Sequence, residues 1–128
     1  MTSRVQVEKL RRATDARGQV FEPLDAAGLA DQRNIHVVLT GPGHIRGNHF
    51  HTRGTEVTAV AGPAHVRYRE SGETVHLDIP ADEVWRFTFP PGIVHAFQNT
   101  GTADLVIVSF NSIAHDPQDP DTTREVIL

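Results

Sequence analysis

The sequence contains no cysteine, which excludes thiolate metal sites, thiol nucleophiles and a disulfide framework and leaves any metal to imidazole and carboxylate ligands. Long apolar runs are missing too: the longest are of the size of Leu105–Val108, far short of the roughly 20 residues a membrane-spanning helix needs. Residues 1–20 are charged throughout and show no leader pattern, so a cytoplasmic protein without membrane contact is expected. No basic cluster exceeds Arg11-Arg12, and 12 Lys and Arg against 16 Asp and Glu give a net charge of −4. A phosphate backbone requires a basic face, so nucleic acid is not an expected partner. There is no internal repeat and no low-complexity segment. A chain of 128 residues matches one domain, long enough to bury a core without covalent staples.

What is present is a succession of short β-branched and aromatic runs, broken about every ten residues by Gly, Pro, Asn and Asp. That spacing predicts an all-β antiparallel sandwich or barrel. Strands are expected near 4–9, 19–22, 34–40, 45–51, 55–61, 64–70, 73–79, 84–89, 94–98 and 104–110, with a brief helix over Leu24–Ala30. Gly41-Pro42-Gly43, Gly62-Pro63, Ser71-Gly72 and Pro90-Pro91-Gly92 supply the turn chemistry. Alternation is cleanest over Thr74–Ile79, where Val75, Leu77 and Ile79 share a face opposite Thr74, His76 and Asp78, as in a half-buried strand. Residues 115–128, with two prolines and four acids, read as an extended tail over the barrel or onto a neighbouring subunit.

Eight histidines are the compositional oddity. His49 and His51 leave the same face of a strand and can reach one ion together. Glu56, across the Thr52–Thr55 turn, opens the next strand and can offer a carboxylate to the same point. His95, three residues beyond Pro90-Pro91-Gly92, opens another strand that faces the same cavity if the sheet closes. Each histidine alone reads as a solvent-facing strand residue; their joint spacing points to one divalent metal ion. Zinc is the first expectation, with iron, manganese, nickel and cobalt compatible with the same donors.

Gly43, His49-Phe50-His51, Glu56 and Gly62 together resemble the first motif of the cupin superfamily, and Pro90-Pro91-Gly92, His95 and Asn99 resemble the second. The first is one residue short before Gly62, and Val84 stands where the second has a glycine; both departures fall in turns. The resemblance implies a double-stranded β-helix, or jelly-roll, barrel and metal roles for His49, His51, Glu56 and His95. Asp15-Ala16-Arg17-Gly18, Arg46-Gly47-Asn48-His49 and the tail Asp116–Thr122 are more specifically similar to the sugar-nucleotide cupins. These are the dTDP-4-dehydrorhamnose 3,5-epimerases and, nearer still, the C-terminal cupin domain of capsular-polysaccharide reductase/epimerase proteins. That family usually has a lysine where Gly54 stands, and no dinucleotide-binding segment is found in this sequence, so reduction is not expected of it.

The likeness implies an epimerase or isomerase acting on a nucleotide-linked 4-keto-6-deoxy sugar, as a homodimer with Arg4–Leu10 as the exchanged strand. Arg46 and Asn48 are candidate substrate-binding residues, Arg46 by gripping a diphosphate bidentately. The metal-free epimerases use the histidine at the position of His49 as their base; here His51 and Glu56 claim His49 for the metal, so the base is sought in Tyr68 or His36. Tyr68 reads more simply as a core aromatic with a satisfied hydroxyl. Trp85 alternates with Phe87 and Phe89 and reads as barrel core or as an aromatic that stacks on substrate. An iron-dependent oxygenase, or another small-molecule cupin enzyme, and a non-catalytic, metal-containing sugar-binding module are the alternatives.

Overall fold

The structure, a computed structural model, describes residues 3–128. Its strands are β1 Gln6–Leu10, β2 Arg12–Asp15, β3 Gly18–Phe21, β4 Asn34–Thr40, β5 Ile45–His51, β6 Glu56–Ala61, β7 Ala64–Glu70, β8 Glu73–Ile79, β9 Val84–Phe89, β10 His95–Asn99, β11 Leu105–Asn111 and β12 Thr122–Arg124, with one helix, α1 Ala26–Ala30. Two five-stranded sheets, ordered β1-β9-β6-β11-β4 and β12-β5-β10-β7-β8, form the halves of the barrel, and β2 and β3 make a separate hairpin. Every pairing between strands is antiparallel. The fold is thus the expected all-β jelly roll.

Alternation puts one row of side chains from each sheet into the space between them. Val60, Val66, Phe87, Phe89, Phe97, Leu105 and Ile107 meet there as a continuous core. In β8, Val75 and Leu77 are half-buried and Ile79 buried, while Thr74, His76 and Asp78 face solvent, as the alternation predicted. β6, in the middle of its sheet, is buried along its whole length. The helix is shorter than expected and starts at Asp25, whose carboxylate accepts from Gly28 N at 2.7 Å, a standard N-cap.

Three features depart from the sequence reading. The strand β2 was not expected, because Arg12, Thr14 and Asp15 carry no apolar alternation; backbone pairing with β3 makes it, closed by a turn in which Arg17 N donates to Asp15 at 2.8 Å. The expected exchanged strand lies on the chain's own β9, Gln6 opposite Thr88 through Leu10 opposite Val84. The segment expected as an extended tail carries β12, which adds to the edge of β5 with Thr122 opposite His51 and Arg124 opposite His49. Among the described residues no helix is long and apolar enough to cross a membrane.

Candidate metal centre

Strand pairing places the four expected ligands at one end of the barrel. His95 lies opposite His49 in the β10–β5 register, and Glu56 opens β6 opposite Phe89 and Asn111. A register shift between His95 and Ala96 is accommodated at Gly47, with φ +92° and a neighbouring carbonyl so near that a Cβ would lie 2.7 Å from His95 O. Glycine is needed at that crossing.

The side chains converge on Glu56 Oε2: His51 Nε2 lies 3.7 Å away, His49 Nε2 3.8 Å, and His95 Nε2 in direct contact. Donor atoms of His49, His51 and Glu56 all fall within 4.8 Å of one another, and the rings of His49 and His95 are 4.8 Å apart. His95 Nδ1 donates to Ile93 O at 2.9 Å, so the Nε2 lone pair faces Glu56, itself an acceptor. His49 Nε2, Glu56 Oε2 and His95 Nε2 are all buried without a hydrogen-bond partner. Orphaned buried polar atoms are costly. Their convergence fits a cation, with the Ile93 carbonyl holding the tautomer that ligation needs.

In the metal-free protein burial opposes ionisation of Glu56, but positive charge on His95, together with contacts from His49, His51 and His95, outweighs it and holds the carboxyl well below its ordinary range. For His51, burial disfavours the charged ring, yet Glu56 and Asp121 together raise its pKa.

Above His51 opens a cleft of about 360 Å³ lined by His36, Asn111, His115, Asp116 and Asp121, among others. His36 is therefore brought to the centre's entrance, exposed on β4. Tyr68, opposite His95 on β7, is buried among core aromatics, 5.8 Å from Phe89. Arg46 is exposed on the strand of His49 and His51 and makes no ion pair among the described residues. Asn48 is not aimed at the cavity: its side chain accepts from Ile127 N at 2.9 Å and Leu128 N at 3.2 Å, clamping the C-terminus. Trp85 sits beside the core at the far end of β9 and donates to Glu83 at 3.0 Å. The structure thus brings His36 to the cleft that His51 lines and leaves Asn48 and Trp85 elsewhere.

Sequence reasoning missed Asp121 and Asn111, which both approach His51 Nδ1, at 3.4 Å and 3.1 Å. The aspartate stands inside the tail motif that carried the family resemblance, but its role depends on β12 folding back over β5.

The fold has known counterparts. The UDP-2-acetamido-2,6-beta-L-arabino-hexul-4-ose reductase of Pseudomonas aeruginosa is 28% identical over 112 residues, covering 85% of this chain and 29% of that protein. The capsular polysaccharide assembling protein CapF of Staphylococcus aureus superimposes with a TM-score of 0.68 at 26% identity, over 92% of this chain and 33% of CapF. A dTDP sugar isomerase of Desulfovibrio desulfuricans G20 has the same fold, with a TM-score of 0.74 at 21% identity over 96% of this chain and 84% of the isomerase. The chain spans about a third of the length of the first two. Residues 13–123, from β2 into β12, match the polysaccharide biosynthesis C-terminal domain, and the chain belongs to that family of cupin barrels.

Proposed function

We propose that residues 1–128 form one cupin domain that holds a divalent metal, zinc first among the candidates, on His49, His51, Glu56 and His95. We propose further that it isomerises a nucleotide-linked 4-keto-6-deoxy sugar in the cleft above. The observation that carries this reading is the convergence of three buried, partnerless polar atoms, His49 Nε2, Glu56 Oε2 and His95 Nε2, next to His51, which lines a cleft shared with His36.

Epimerisation beside a ketone needs a base for the acidified carbon-bound proton and a group to hold the enolate oxygen. A bound divalent cation supplies Lewis acidity there. His36 is the better placed base: it lines the cleft with His51, whereas Tyr68 is buried in the core, and burial with the nearby Glu70 charge raises its pKa. Arg46 is the candidate cation for the diphosphate. The cleft, at about 360 Å³, lies within the roughly 300–1,000 Å³ of small-molecule sites and accommodates a hexose, with the nucleotide extending past the rim.

One observation favours a second reading. Four protein donors fill a tetrahedral ion, and a site without an open position is structural; the chain would then be a sugar-binding module. Incubation of zinc-loaded protein with a nucleotide-linked 4-keto-6-deoxy sugar in deuterated water separates the two. Deuterium entering beside the carbonyl, and its loss in His36→Asn, supports isomerisation. Saturable binding without exchange leaves the module.

A further inference from the structure

His51 Nδ1 is approached by two groups of opposite hydrogen-bonding sense. Asn111 Oδ1 accepts from Ile113 N at 2.8 Å, so the amide turns its Nδ2 donor to His51, 3.1 Å away. Asp121 Oδ2, 3.4 Å from the same nitrogen, can only accept. A neutral imidazole has one proton. Asn111 favours the tautomer with that proton on Nε2, facing Glu56; Asp121 favours the tautomer with it on Nδ1, leaving the Nε2 lone pair free. Only the second can ligate through Nε2. The tautomer of His95 is already fixed by Ile93 O, so His51 is the ligand whose readiness depends on a neighbour.

Asp121 is well held for this task. Its Oδ1 accepts from Thr52 Oγ1 and Arg53 N, both at 2.8 Å, and its Oδ2 from Gly54 N at 2.9 Å. Its own carbonyl accepts from Thr52 N at 3.0 Å. A Cβ at Gly54 would sit 2.9 Å from Asp121 Oδ2, so glycine at this turn lets the carboxylate approach. Asp121 arrives on the segment that continues into β12 along the ligand strand β5.

We propose that Asp121 is the positioning residue for His51, and that the C-terminal segment is in this way part of the metal centre: its docking selects the ligating tautomer, and metal binding in turn secures the segment. The inference rests on the metal-centre reading above and extends it to a part of the chain that supplies no ligand. Because linkage is reciprocal, whatever the docked tail adds to metal affinity, the metal returns to tail docking.

The test compares full-length wild type, Asp121→Asn and Thr52→Val. Asp121→Asn can keep one turn-capping oxygen while exchanging the acceptor at Oδ2 for a donor; Thr52→Val removes a turn hydrogen bond and leaves the carboxylate. Zinc affinity is measured by chelator competition, the His51 tautomer by nitrogen-15 NMR of the ring, and the Thr52 and Gly54 amides by hydrogen exchange. Asp121→Asn is expected to weaken zinc by roughly 10- to 100-fold, the usual effect of removing a carboxylate behind a ligating histidine, and to lose the Nδ1-protonated signal. Thr52→Val should stay within about threefold of wild type on that same scale, and zinc should slow exchange at residues 52 and 54 in wild type and Thr52→Val but not in Asp121→Asn. Unchanged affinity and tautomer in Asp121→Asn overturn the proposal while leaving the metal centre intact, and so does an equal loss in Thr52→Val, which would assign the effect to the turn. Wild-type protein that binds no zinc overturns the metal centre and this proposal together.

Discussion

The imidazole of His95 lies flat on the ring of Phe89, with centroids 4.1 Å apart and planes 1° apart. Phe89 is itself stacked on Phe87 at 5.6 Å, so an aromatic column runs from the core to the candidate metal centre. With Nδ1 tied to Ile93 O, the ring has neither rotation nor tilt left to it. Phe89→Ala should cost about 3–5 kcal/mol of folding stability and also free the ring, so that zinc affinity falls even in protein that remains folded. Phe89→Leu should recover most of the stability and little of the affinity. Urea unfolding of the metal-free variants beside chelator competition measures both; affinity that recovers along with stability would remove the orienting role.

Gly47 tests the backbone side of the same ligand. Its φ of +92° and the carbonyl of His95 at 2.7 Å from a Cβ leave no room for a side chain, and the atom in the way is backbone that cannot rotate aside. Gly47→Ala should therefore push β5 from β10 where His49 faces His95, abolishing stoichiometric metal. The measurement is metal per chain by plasma mass spectrometry on protein shown by circular dichroism to be folded. Near-stoichiometric metal in folded Gly47→Ala would show that the two strands need not approach this closely.

The ligand set was legible because strand geometry is local: an i, i+2 pair shares a face wherever the strand lies, and a short turn returns Glu56 to it. His95 needed the motif as well as the spacing, since only closure of the barrel brings β10 beside β5. The partners of Asn48 and Asp121 were illegible for one reason. Neither shows its partner in sequence, and both partners lie on opposite sides of a tail that folds back only in three dimensions: Asn48 takes the amides of Ile127 and Leu128, and Asp121 takes the turn at 52–54 and His51. β2 was illegible because a solvent-exposed hairpin held by its backbone needs no apolar pattern.

Glu56 and His51 set the pH response of the metal-free protein. Glu56 has its folded pKa lowered from 4.5, so its contribution is full above that value and is lost as pH falls through the lowered one. His51 has its folded pKa raised from 6.5, so its contribution is full below 6.5 and is lost as pH rises through the raised one. Metal-free protein should draw most from this pair between about pH 4.5 and 6.5. Zinc should invert the alkaline limb, because ligands bind deprotonated. Melting temperature against pH, with and without zinc, checks this, and Glu56→Gln should lose the acid limb. A metal-free profile flat from pH 4 to 8 would show the pair to be uncoupled from folding.

On the outer face of the edge strand β4, Ile35, Val37 and Leu39 are 58%, 61% and 59% exposed. A row of apolar side chains on an unpaired edge invites association, so this face is where a homodimer contact is tested. Val37→Glu should raise the dimer dissociation constant at least tenfold while leaving metal content unchanged, since the outward face of β4 does not reach the centre. Sedimentation equilibrium is the measurement. A wild-type monomer at high micromolar concentration removes the dimer, and a Val37→Glu dimer of wild-type strength moves the interface to another face.

Trp85 offers a test of the proposed substrate cleft. On β9 it lies opposite Val60, four residues from Phe89, which lies opposite Glu56; at about 3.3 Å per residue that is about 13 Å along the barrel from the metal ligands. Its indole packs at 6.3 Å from Phe87 and donates to Glu83, which also pairs with Lys9, so its groups are used in closing the opposite end of the barrel. Trp85→Phe should lose that hydrogen bond at a cost of about 1 kcal/mol while zinc affinity and sugar-nucleotide binding by titration calorimetry stay within twofold of wild type. If substrate stacked on the indole, the same variant would lower binding by at least tenfold at unchanged metal content, and substrate would not sit in the cleft beside His36 and His51.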